Sequence, residues 1–296
     1  MGKMNSLAQQ LGMLAQQALL YEAVLSPKPG LVDATNVGAH HDMTIFTFLD
    51  SSTALYPGLI AYAKQGLQHK GTPTELFQSI RPLGITMEKN MNQATHHVNT
   101  HKGAIFSFGI LLAASGFYLQ EKKIDLTAPL SPEETEAIFK IGQNMVKDTL
   151  EKDFIGLEQK EHLSNGERLY LEFGLTGIRG EALNGYPLIR TIALPYLRKE
   201  VDGKLTLENK LLTVLLLLIS KSEDSNLVNR GGIEGLAWSK STITDYLKKY
   251  SPETTRGKEQ LHILNQAFVH RHLSPGGSAD LLALTIFIAK LEHLLD

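Results

Sequence analysis

Residues 211–219 read LLTVLLLLI, apolar on every side but for Thr213. Such a segment cannot sit with one face in water, so other elements must enclose it all round. The rest of the chain offers helices for that task. Leu7, Leu11, Leu14, Ala18, Tyr21 and Leu25 recur at spacings of three and four, the stripe of one helix. Pro27, Pro29 and Gly30 end it, because proline lacks an N–H and clashes with the preceding turn. Helical patterns also cover 52–68, 74–91, 101–119, 132–150, 208–221, 239–248, 256–272 and 279–294. Alternation of period two is scarce, and Val201-Asp202-Gly203-Lys204-Leu205 reads better as a helix connection than as an Asp-Gly hairpin. The expectation is an all-α, single compact multi-helix globule. One helical catalytic domain would span residues 1–296, with the 211–219 helix at its centre and a cleft lined by polar loops.

Composition narrows the function classes. Hydrophobic residues make up 43% of the 296 and charged residues 20%, values of an ordinary globular protein with a sizeable core. The absence of cysteine excludes a disulfide framework, a thiolate nucleophile and a zinc–thiolate site. A net charge of −2 provides no global basic field, so nucleic acid is not an expected partner and any phosphate must be held by local clusters. The start of the chain lacks a signal-peptide apolar core, and the 211–219 run is too short to span a bilayer. A cytoplasmic protein without a membrane partner is expected.

The loops carry the unusual chemistry. Four segments concentrate Gly, His, Asp, Asn, Lys and Arg: 28–43, 92–103, 173–190, and 224–232 with 274–280 as its partner. Asn99, Thr100, His101, Lys102 and Gly103 directly precede an apolar helix. Free amides at its positive end, with the Lys102 ammonium, suit a phosphate; a capped helix whose lysine faces water is the alternative. His40 and Asp42 stand in a loop, where they could ligate a metal or move a proton, unless Asp42 caps the helix that starts near Thr44. Lys28 is a phosphate candidate from its Pro-Gly context. Arg179 and Glu181 sit among Gly174, Gly177 and Gly180, which permit close approach to a ligand; an internal ion pair is the competing reading. Asp224, Asn226 and Asn229 could hold Mg²⁺ directly or through water, and Arg230 could clamp a phosphate, or the acid and amides could simply terminate helices. Ser278 is expected to cap the last helix, beside any phosphate at that N-terminus. His97 and His101, four apart, would share a metal-binding face if the helix reached back that far.

Six segments together are similar to one family. SPKPGLVD (26–33), GAHHDM (38–43), VNTHKGAIFSFG (98–109), GIRGEALNGYP (177–187), DSNLVNRGG (224–232) and SPGGSADLLA (274–283) follow one another as in the triphosphoribosyl-dephospho-CoA synthases, which make the prosthetic-group precursor of citrate lyase or, in a relative, of malonate decarboxylase. One departure is His96-His97, where the family pattern has two glycines. The resemblance implies ATP and 3′-dephospho-CoA as substrates. The 2′-hydroxyl of the acceptor ribose attacks C1 of the ATP ribose, adenine leaves, and the product passes to an acyl-carrier-protein transferase. The chain has no G-x-x-x-x-G-K-[ST] loop, consistent with phosphates that serve as a handle. Such chemistry needs a carboxylate near the ribose cation, a base for the hydroxyl proton, and Mg²⁺ with cations for the triphosphate. An α-linked product from a β-nucleoside implies a single inverting displacement, by analogy with inverting glycosidases. The catalytic candidates are therefore Asp42, His40, Asp224 and Glu181. The substrate candidates are Lys28, Asn99, Thr100, His101, Lys102, Gly103, Arg179, Asn226, Arg230 and Ser278, and the Mg²⁺ candidates Asp42, Asp224 and Asp280. The competing enzyme reading is an all-helical metal-dependent nucleotide phosphohydrolase built on His41-Asp42. A helical scaffold without activity leaves the glycine-rich polar loops unexplained.

Overall fold

The computed structural model describes residues 2–153, 155–201, 203 and 205–295, and these contain helices and turns but no strand. The Asp202 and Lys204 of the expected connection at 201–205 lie outside the described residues. Twelve α-helices follow in order: α1 Gly2–Val24, α2 Ile45–Gln68, α3 Pro73–Ala94, α4 Lys102–Lys122, α5 Pro132–Asp153, α6 Asn165–Phe173, α7 Gly177–Leu183, α8 Leu194–Lys199, α9 Leu207–Lys221, α10 Ser225–Lys249, α11 Thr255–His270 and α12 Gly276–Leu291. Local signals set several starts. Thr72 and Glu75 form a reciprocal capping box ahead of α3, with Pro73 at the first helical position. Thr206 caps α9 through the Asn209 amide.

The all-α expectation stands, but the centre belongs to more than one helix. Leu211, Leu212, Leu215, Leu216 and Ile219 of α9 are buried, as its sequence demands. α4 and α12 are enclosed as fully: the runs from Ile110 to Ala114 and from Leu281 to Ala289 expose 2% or less at each residue. α4 packs on α2, α3, α5 and α12, and α12 packs on α1, α4 and α9. Glycine makes the α2–α4 crossing possible: a Cβ at Gly66 would strike the Ala113 carbonyl, and one at Gly116 the Ala63 carbonyl. Among the described residues one helix, α4, is long and apolar enough to cross a membrane, and most of it is packed inside the bundle.

Two starts lie earlier than the stripes suggest. α2 begins seven residues before position 52, in a turn where Phe46 is 72% exposed and no apolar stripe forms. α10 begins at Ser225, not near 239, and its first two turns carry polar residues up to a break at Gly232. α3 stops at Ala94 and α4 starts at Lys102, so His97 and His101 share no helix face.

Candidate active site

The N-termini of α10 and α12 meet around one carboxylate. Asp224 caps its own helix, accepting from the amides of Asn226 (3.0 Å) and Leu227 (3.4 Å) on Oδ1. Its Oδ2 accepts from the Ser278 amide (2.8 Å) and hydroxyl (3.0 Å), so the same group caps α12 from 54 residues away. Burial raises its pKa, against the pull of these bonds. Four donors use the four lone-pair sites of a carboxylate. Asp224 therefore has no free position for a metal ion, which corrects its expected role as an Mg²⁺ ligand. Ser278 is correspondingly not the cap of α12: it is fully buried and its polar atoms face Asp224 and Ser222.

Asp280 lies two residues further along α12 and is half-buried in a cleft of about 640 Å³. It accepts from the Ala104 amide at the start of α4, and its pKa is pushed well up by burial, then by Glu22 and Asp224. It also lines the cleft. A Cβ on Gly103 would collide with its carboxylate, so only glycine lets α4 approach this closely. The amides of α4 are less free than expected, since Lys102 N–H donates to Asn99 Oδ1 at 3.2 Å and Ala104 N–H to Asp280.

Glu181 on α7 forms the facing wall. Burial pushes its pKa up to about 7, opposed by a bond from the Leu188 amide and supported by Glu223. A carboxyl poised there can take a proton at neutral pH. Lys102, Arg179 and Lys221 line the same cleft as cations, with Asn99, Asn226 and Asn229 as amides. Lys102 also reaches Glu88 at 3.0 Å.

The segment 28–43 does not line this cleft. Lys28 is 1% exposed, and its ammonium is bound to the carboxylate and carbonyl of Glu22, both at 2.5 Å. It is closed off from any phosphate, which corrects its expected role. Asp33 is spent on a turn, accepting from the amides of Lys28, Thr35 and Asn36. His40 is held by the Ser274 hydroxyl (2.8 Å) and the Arg230 guanidinium (3.0 Å). Burial and Arg230 lower its pKa to about 4, so it is neutral. Asp42 is exposed, 3.7 Å from His40, and stands apart from the cleft lining. Arg230 is a strut to the carbonyls of Ala39 and His272, not a phosphate clamp in this arrangement. Thr100 and His101 also turn inward: Thr100 bonds to Ser51 (2.7 Å), and Ser51 to His101 Nδ1 (2.7 Å). Burial, with Lys28 nearby, lowers the His101 pKa to about 3.

The family model for ATP:dephospho-CoA triphosphoribosyl transferase matches residues 8–296. The chain belongs to this family. A relative from Streptococcus mutans named "Probable 2-(5''-triphosphoribosyl)-3'-dephosphocoenzyme-A synthase" is 43% identical over 96% of this chain and 97% of its own length. Relatives of the same name from Streptococcus equi subsp. equi (42%, covering 95% of this chain and 96% of theirs) and Streptococcus pyogenes serotype M49 (41%, covering 96% and 97%) are similar throughout. A crystal structure described for such a synthase from Archaeoglobus fulgidus covers 82% of this chain and 98% of its own, at 16% identity and a TM-score of 0.46; a likeness this distant guides no residue assignment.

Within this transferase the phosphohydrolase alternative loses its footing. His41 and Asp42 are exposed, and no group of three or more His, Cys, Asp or Glu among the described residues could hold a metal. His96 and His97 both adopt left-handed backbone (φ 53° and 69°), a conformation that favours the glycines of the family pattern. The lining also draws on two stretches outside the polar loops of the sequence, Ser164, Asn165 and Gly166, and Lys221, Ser222 and Glu223. Lys221 and Glu223 immediately precede the DSN segment, and Ser164 begins a Ser-x-x-Glu capping box, so a signal existed for each.

Proposed function

We propose that the cleft between α4, α7, α10 and α12 joins ATP to 3′-dephospho-CoA, transferring the triphosphoribosyl group to the acceptor 2′-hydroxyl and releasing adenine. The observation that carries the reading is the pairing, in one cleft, of a carboxyl poised near neutrality with a half-buried carboxylate and three cations. The new bond joins the acceptor oxygen to C1 of the ATP ribose, and the bond from C1 to adenine breaks with its electron pair. Glu181 receives the hydroxyl proton, and adenine gains one as it leaves. Lys102, Arg179 and Lys221 serve the phosphates of both substrates, the triphosphate of ATP and the diphosphate of the acceptor.

Asp280 fits a divalent cation. It is a desolvated carboxyl group on the cleft wall, pressed by two further acids that a positive charge would relieve. Mg²⁺ commonly binds through one or two carboxylates together with substrate phosphates and water, so one protein ligand suffices. Bound there, it would neutralise triphosphate charge. The product would pass to an acyl-carrier-protein transferase, and the reaction would run in the cytoplasm without nucleic acid or membrane. Incubating the protein with ATP, Mg²⁺ and dephospho-CoA tests the proposal. Adenine release that requires dephospho-CoA supports it; release of phosphate or pyrophosphate without acceptor, or no turnover, contradicts it.

A further inference from the structure

A second pocket of about 210 Å³ opens beside the cleft, bounded by α2, α3, α4 and α5. Tyr62, Phe77, Ile80, Ile105 and Phe106 form walls of aromatic and aliphatic carbon, with Arg81, Glu88 and Thr149 at intervals among them. Two links tie it to the cleft. Arg179 lines both spaces. Lys102, on the cleft side, pairs at 3.0 Å with Glu88, which lines the pocket. A charged sill thus separates a polar compartment from an apolar one.

Resting on the reading of the cleft as the transfer site, we propose that this pocket receives the pantetheine arm of dephospho-CoA. Two arguments favour that occupant. The first is room: a space of about 640 Å³ is the size that encloses one drug-sized ligand, and the reaction brings two nucleotides together. The second is the order of chemical groups. In dephospho-CoA the reacting ribose is followed by a diphosphate and then by the arm with its gem-dimethyl and methylene groups. The protein presents the same order: polar cleft, then the Arg179 and Lys102 sill, then hydrocarbon walls.

Two variants and two ligands test this. Gly84→Leu places a side chain in the pocket from α3, where a Cβ finds within 4 Å only the Tyr62 hydroxyl, 3.0 Å away, and where replacing glycine favours the helix. Ile85→Lys puts a charge on the pocket's rim at a position 73% exposed, so folding is not at stake. The expected result is a KM for dephospho-CoA raised about tenfold, the discrimination an apolar pocket gives for a small change in buried hydrocarbon. The KM for ATP and competitive inhibition by ADP, which is the acceptor without its arm, stay within about twofold. An unchanged KM for dephospho-CoA in both folded variants overturns the proposal. So does a rise confined to the KM for ATP, which would assign the pocket to the ATP base. If the wild-type protein joins no ATP to dephospho-CoA, the transfer reading itself fails, a result separable from either of these.

Discussion

Two regions of the molecule look alike in sequence and differ in what their polar groups are free to do. The collar 28–43 and the cleft segments 99–103, 176–188, 221–229 and 277–281 are both rich in Gly, acidic, Asn and basic residues. In the collar the buried groups are committed: Lys28 to Glu22, Asp33 to three amides, His40 to Ser274 and Arg230. In the cleft Asp280, Glu181 and Lys102 have partners too, in the Ala104 amide, the Leu188 amide and Glu88, yet with Arg179 they line open space. Glycine with polar side chains marks places where backbones approach closely. Whether the approach serves a ligand or another loop is decided by which lone pairs and N–H groups remain.

The strongest challenge to this comparison sets Asp280→Asn against Asp42→Asn. The first keeps an acceptor for the Ala104 amide and removes the charge, and should lower turnover on the order of 10²-fold, as loss of a key electrostatic contact does. The second should leave turnover within about twofold. Steady-state adenine release by both proteins checks this, and equal losses would erase the distinction between collar and cleft.

A second contrast uses the two lysines. Lys28→Met leaves the Glu22 carboxylate buried without its partner, which typically costs about 3–5 kcal/mol. Lys102→Ala breaks only a solvent-exposed pair with Glu88, worth roughly 0–1 kcal/mol, yet should weaken ATP binding several-fold. Denaturant midpoints and ATP titrations on both variants would sharpen the comparison if the effects separate, and would break it if Lys28→Met binds ATP poorly while remaining stable.

Much of this was legible beforehand, for identifiable reasons. The apolar runs of α4, α9 and α12 can be satisfied only inside a helical bundle, so the fold class follows from local pattern. Lys102, Arg179, Glu181 and Asp280 were legible as cleft residues because glycine beside a helix start is a local signal. The fate of Lys28 turned on Glu22, only six residues back, while those of Asp42, Asp224 and Arg230 depend on a partner far along the chain or on its absence. The Ser278 amide and hydroxyl that saturate Asp224 lie 54 residues away, and the Ala39 carbonyl that engages Arg230 lies 191 away. No spacing rule sees them.

The pH dependence is a smaller effect confined to the cleft. With Glu181 as the base, kcat/KM should rise as pH increases through about 7, where its burial places the carboxyl, and level off above. Glu181→Gln should remove that limb while retaining ATP binding. His40, neutral above about pH 4, should contribute no limb in the same range. A profile unchanged in Glu181→Gln would move the base elsewhere.

The smallest expected effect concerns the turn between the two regions. His96→Gly and His97→Gly each relieve a left-handed backbone that costs a residue with a Cβ roughly 1 kcal/mol. Each should raise the melting temperature by about 2–4 °C, less whatever entropy glycine adds to the unfolded chain. Thermal melts would reveal whether the histidines are tolerated strain or are held by contacts of their own.

The central claim is that nucleotide chemistry belongs to the cleft and not to the collar. A crystal of the protein soaked with ATP and Mg²⁺ tests it most directly. The account predicts the triphosphate against Lys102, Arg179 and Lys221, with the metal on Asp280. A triphosphate seated against His40 and Asp42, with the cleft empty, would contradict it.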